Sequence, residues 1–354
     1  MSASAEQGSS LVADSSGTAA TDTAGTQPPR LWVLRLVFGS RWLTGVTIAI
    51  GMLLAYWLAA NYSETVIQPE GALAFFWSPV IFFCAITAYL IPVFHYITEQ
   101  TEAAFDELLP HLSVPAEGLA AERIGIAHKP LRWVLINMAL ACAFWFLQQW
   151  LLIQDWDTLV RALTYSAASA SFILGPLLVW LVTSCAVHAL VNNALLFRRL
   201  ARLVDVDLLD RSSVLPIGRM AVYSNLLVIG GMALMPIMAI GGQTAWWGYI
   251  PALIPMCSAA VVLFFAPQWP LHQRLREQKA AELEAANAEI QKHRDASHAE
   301  LAGYLAYRRE IRELSNWPID IGGIGRLLGY IVIVPLTWIG AALIEMVVDS
   351  AIGG

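Results

Sequence analysis

Residues 308–338 read RREIRELSNWPIDIGGIGRLLGYIVIVPLTW. The stretch opens on charge and closes on a run suited only to hydrocarbon. The chain just upstream is polar, so it goes back into lipid close to its end. Whether that return makes an odd or an even number of crossings decides the architecture.

Composition sets the class. Of 354 residues, 57% are apolar and 14% charged, with a mean hydropathy of +0.58. A soluble domain carries about a quarter charged residues. No soluble core absorbs such an excess of apolar side chains, so the chain reads as a polytopic membrane protein. The first 29 residues are Ser, Ala, Thr and Gly with three acids and no base. They lack a secretory signal's basic start and apolar core, and read as a disordered tail.

A helix needs about 20 apolar residues to cross the hydrocarbon core. Seven segments qualify: 43–60, 73–94, 133–153, 166–191, 220–240, 248–266 and 327–348. Residues 30–42, with Arg30, Arg35 and Arg41, are too short and too basic to span and read as an interfacial amphipathic helix. Basic residues then orient the chain. Twenty of the 21 fall in the N-terminal arm and in the links after spans two, four and six; only Arg161 falls on the other side. The positive-inside rule makes the basic side cytoplasmic. Trp42, Trp133, Trp269 and Trp317 mark inner boundaries, and Trp150, Trp156, Trp246 and Trp247 outer ones. The expectation is an all-α polytopic protein with seven transmembrane helices, N-terminus inside and C-terminus outside. The region 43–268 forms a six-helix membrane unit with cytoplasmic helical extensions at 95–130 and 193–219, and 317–354 holds the re-entry and the seventh span.

The return to the membrane needs a fold-back. Residues 269–316 hold two helical patterns separated by a polar interruption near His293. One continuous rod would reach roughly 65 Å at 1.5 Å per residue and strand the seventh span away from lipid. The spacing predicts a cytoplasmic helical hairpin. Leu275, Leu283 and Ile290 form one seam and Leu301, Leu305 and Ile311 face it. Apolar stripes in the other inner links (Phe105, Leu108 and Leu109; Leu196, Leu200 and Leu203) point to a packed layer under the membrane.

Ionisable residues inside a bilayer are functional candidates because they are costly there. His188 lies in the inner part of span four, one turn before Asn192. Glu345 and Asp349, a turn apart, end span seven, whose face also carries Thr337, Ala341 and Ile344. Copies assembled around this helix would turn the acids into rings at a pore mouth, which attract cations; the plainer reading is a pair of interfacial acids. No acid relay, arginine ladder, GxSxG, HExxH or Walker pattern occurs, so no enzyme is expected. His95 with His188 could hold one haem, and Cys185 lies three before His188; two ligands do not make a site, so no cofactor or metal is expected. The cysteines Cys84, Cys142, Cys185 and Cys257 all sit in apolar runs and read as small apolar residues. Asn137, Gln148, Gln149, Thr183, Ser184 and Asn225 read as packing contacts, with the lining of a path as the alternative.

The expected threading resembles that of the insect odorant and gustatory receptor channels, which have seven spans, an inside N-terminus, a cytoplasmic anchor layer and a pore-lining last helix. The resemblance covers topology and no residue motif, so no residue is carried over. It implies a homo-oligomeric, cation-permeable channel lined by the seventh span. The alternative is a non-conducting scaffold or accessory subunit whose hairpin docks a cytoplasmic protein partner. The expected surroundings are the lipid bilayer of a plasma or bacterial inner membrane, with no nucleic acid.

Overall fold

The computed structural model describes residues 28–62, 72–206, 213–239, 250–293, 298–315 and 317, and separate positions between 325 and 346. The helices are α1 (Trp32–Arg35), α2 (Arg41–Tyr62), α3 (Ala72–Leu108), α4 (Ala120–Ala127), α5 (Leu131–Ile153), α6 (Trp156–Tyr165), α7 (Ala167–Leu200), α8 (Leu215–Leu234), α9 (Ile250–Lys292) and α10 (His298–Glu313). Among the described residues there is no strand. Six helices, α2, α3, α5, α7, α8 and α9, are long and apolar enough to cross a membrane. The seventh expected span is described at separate positions only, among them 332–334 and 336–340, all helical.

Three spans outrun the bilayer. At 1.5 Å per residue, α3, α7 and α9 measure about 56, 51 and 65 Å, against a hydrocarbon core of about 30 Å. Their projecting ends share one end of the bundle, because ion pairs and caps tie them together there. Glu99, Asp106 and Glu107 on the α3 extension meet Arg41, Arg123 and Arg219, one each from α2, α4 and α8. Arg274 of α9 donates to the carbonyls of Val204 (2.6 Å) and Arg202 (3.1 Å), capping the end of α7. Exposed ion pairs are each worth little, but these set which ends lie together. Consecutive membrane-length helices therefore alternate in direction.

Two apolar cores result. In the membrane-length part, 61% of the hydrophobic windows of α3 and α8 and 50% of that of α7 are buried, against 17–28% in α2, α5 and α9. The central trio is thus α3, α7 and α8, with Leu90, Phe94, Ile97, Leu190, Leu227 and Val228 at its heart. The second core lies at the projecting end, where Phe105, Leu108, Ile126, Phe197, Leu200, Ile217, Met220 and Leu271 pack as one cluster. The stripes on the extensions of α3 and α7 are therefore spent against protein.

The segment expected to lie flat at 30–42 folds differently. Only one turn, α1, is helical before α2, and Leu31, Val33 and Leu34 are fully buried. The backbone of Leu31 donates to Ala127 O (3.0 Å), and that of Lys129 to Pro29 O (3.3 Å). Burial of three large apolar residues outweighs the attraction of an interface. Between the third and fourth membrane-length helices lies a further helix, α6; Asp155 caps it by accepting from the backbones of Asp157 and Thr158.

Past its membrane-length part, α9 runs on unbroken to Lys292, and α10 packs back along it. Lys279 Nζ donates to the carbonyls of Arg312 (2.8 Å) and Leu314 (2.6 Å), capping α10, while Ile311 is buried. Trp317 then stacks on His272 (4.4 Å) and meets Phe265 edge-on (6.3 Å). The chain thus comes back to the level at which α9 left the bundle.

Close helix approach depends on missing side chains. A Cβ at Gly230 of α8 would lie 1.9 Å from Tyr89 Oη, whose hydroxyl donates to Leu226 O (2.6 Å). A Cβ at Gly175 of α7 would lie 1.9 Å from Tyr56 Oη. Gly230→Ala is therefore expected to cost about 1–3 kcal/mol by forcing Tyr89 out. The check is thermal unfolding of the detergent-solubilised chain, in which Tyr89→Leu removes most of the penalty.

Candidate functional site

Six buried polar side chains in the helices bond back to their own backbone. Thr87, Thr98, Thr101, Asn137, Asn225 and Gln268 each donate to the carbonyl four residues earlier, at 2.7–2.9 Å. Such bonds satisfy a hydroxyl or amide without water. A void of about 40 Å³ lies among Phe82, Phe83, Trp180, Met235 and Met256. Its walls are mostly apolar, so it offers an ion no solvation.

Polar contacts between helices concentrate on α5 and α7. Trp180 Nε1 donates to Gln148 Oε1 (2.7 Å), and Trp145 Nε1 to Ile173 O (2.8 Å). Further along, Asn137 Nδ2 donates to Trp133 O, which turns Oδ1 toward His188 Nδ1 at 3.1 Å. Its ring stacks on Trp133 (4.8 Å), and Lys129 Nζ lies over the same indole (5.9 Å).

Beyond this stack, toward the projecting end, a groove of about 680 Å³ opens between α4 and α7. Lys129, Asn193, Arg198, Arg199 and Arg202 line it, with Glu122 as its one carboxylate. Lys129 is buried and donates to Gly125 O. Asn193 is 2% exposed, and its Nδ2 has no partner.

The expected site residues fall in different places. His188 and Asn192 are half-buried on α7; His188 belongs to the α5–α7 stack and Asn192 to the groove wall. Thr337 donates to Val334 O (2.7 Å). Ala341, Ile344, Glu345 and Asp349 lie outside the described residues. Of the hairpin seam, Ile311 is buried, Leu283, Ile290 and Leu301 are half-buried, and Leu305 is 46% exposed. Leu275 is buried in the second core beside residues of α7 and α8. The arm contacts that sequence reading missed are polar and aromatic: Lys279 on the end of α10, Tyr307 on Glu282 (3.4 Å) and His293 stacked on Tyr304 (5.2 Å). Lys129 was missed as a site residue too. Its signal was rarity, since it is one of three lysines among 21 basic residues.

Among the described residues no group of three or more His, Cys, Asp and Glu side chains is placed to hold a metal. No family model matches this chain, and neither a curated protein nor a solved structure does. The site is thus read from its geometry alone.

Burial pushes the Lys129 ammonium down to about 8 from its ordinary 10.5. Between those values the unfolded chain holds a proton that the folded chain has released. Folding stability from this group therefore rises with pH across that window and is lowest below about 8. Thermal unfolding in uncharged detergent should show wild type gaining on Lys129→Met between pH 8 and 10.5. A difference that stays constant over that range contradicts a desolvated lysine.

Proposed function

We propose that this chain is a seven-span membrane protein, N-terminus in the cytoplasm and C-terminus outside, that acts as a non-conducting platform. Its bundle anchors a cytoplasmic helical layer, and its α9–α10 arm docks a protein partner. Threading is supported by the basic residues, 20 of 21 on one side, and by helical positions within 327–348. The observation that carries the platform reading is how polar side chains are used in the spans. Several close onto their own helices, others bond to a neighbouring helix, and the core between α3, α7 and α8 is mostly apolar and packed. Among the described residues, this favours a packed bundle over a solvated route through one copy. The long rigid α9 holds the arm clear of the membrane, with Leu305 and Tyr307 on its exposed side.

A specific observation favours a second reading, the homo-oligomeric cation channel. Val332, Leu336, Ile339, Leu343 and Met346 are all exposed and recur at spacings of four and three. Such a seam packs copies of one helix side by side, which would bring Glu345 into a ring.

Two measurements separate the readings. Full-length protein in planar bilayers should give no current steps, and a photoreactive residue replacing Leu305 should trap a partner that Leu305→Asp no longer binds. Cation currents from an assembled ring, reduced severalfold or more by Glu345→Gln, would overturn the platform and establish the channel.

A further inference from the structure

The groove between α4 and α7 has the chemistry of an anion site. Four cationic side chains, Lys129, Arg198, Arg199 and Arg202, line it against the single carboxylate of Glu122. Among the described residues no carboxylate pairs with the three arginines. At the groove's floor the buried amide of Asn193 presents an unpartnered N–H donor. A buried donor left unpaired is costly, and arginine forks match phosphate oxygens in two-point bonds. These groups converge on one ligand type, an oxyanion of phosphate shape.

Depth tells the two sources of phosphate apart. From Ala167 to Asn193 is 26 residues of continuous helix, or about 39 Å of rise, and Arg198 and Arg199 start about 8–9 Å further on, with side chains that lean back toward the start of the helix. With the start of α7 at one membrane face, Asn193 stands at headgroup level on the other, beyond a hydrocarbon core of about 30 Å. The groove wall also carries exposed Leu195, and exposed Leu131 starts α5 two residues after Lys129. Apolar surface thus continues from the cationic groove toward the hydrocarbon, where acyl chains would run.

We propose that this groove binds the phosphate headgroup of an anionic phospholipid, with Arg198, Arg199 and Arg202 on its oxygens and the Asn193 amide donating from below. This inference rests on the membrane placement of the basic end and not on either reading of partner docking or conduction. Basic pockets between helices on the cytoplasmic side have this affinity in general. The lipid would supply Lys129 with the counter-charge that its buried site lacks.

The test is native mass spectrometry of the full chain in neutral detergent, titrated with phosphatidylglycerol or with phosphatidylcholine of the same acyl chains. Wild type should retain the anionic lipid about tenfold better. The combined Arg198→Gln, Arg199→Gln and Arg202→Gln variant should fall to near parity, and Asn193→Asp should weaken retention. A control with Arg308→Gln, Arg309→Gln and Arg312→Gln, which removes equal charge from the arm, should keep the preference. Millimolar inorganic phosphate should not strip the lipid. Equal losses in both triple variants, or no preference in wild type, overturn the site. Phosphate that binds saturably by itself and displaces the lipid overturns the lipid assignment.

Discussion

Hydrocarbon offers no hydrogen-bond partner, and the rest of this structure follows from that constraint. Each polar group in a span must be satisfied by protein. The chain meets the requirement mostly within single helices, through hydroxyls and amides that reach the carbonyl four residues back. With polarity closed off locally, α3, α7 and α8 are free to pack by shape. Glycines then decide how near they come: Gly230 receives the Tyr89 ring and Gly175 the Tyr56 hydroxyl. Other polar side chains bond between helices, as Tyr89 of α3 does to Leu226 O of α8, and several of these gather at the α5–α7 seam. There, Gln148, Trp180, Asn137 and His188 bond across helices and hold the mostly lipid-exposed α5 to the bundle.

A second consequence is mechanical. Because α3, α7 and α9 leave the membrane-length region as continuous helices, the projecting end and the spans are joined through the same three elements. The second core welds these extensions together, and Arg274 closes the end of α7 onto α9. The cationic groove sits where this inner layer meets the spans. Occupancy of the groove and the position of the α9–α10 arm therefore share one framework, since α7 forms the groove wall and packs directly against α9.

Much of the fold was legible from residue order. Span lengths are a local property of apolar runs, so six helices could be read directly. The loops were harder. Asp155 with the spacing of Leu159 signals α6, but a ten-residue amphipathic piece between two spans is easily taken for a link. Leu31, Val33 and Leu34 look alike whether they face lipid or protein, and their burial depends on segment 127–129, nearly a hundred residues away. Leu275 was legible as apolar, and what periodicity did not show is that it joins the second core with residues of α3, α4, α7 and α8. The groove was the least legible feature. Its arginines served the orientation argument, and nothing in their order says that Asn193 and Lys129 would lie beside them.

By itself the sequence determined the helical, membrane-protein character of the described residues and which helices are long enough to cross. Each of these depends on composition within one segment. Tertiary structure alone decided which three spans are central, that the extensions share a second core, and that Lys129 and Asn193 meet three arginines in one groove. Those outcomes depend on side-chain shape and on contacts between segments far apart in the chain, which hydrophobic periodicity does not encode.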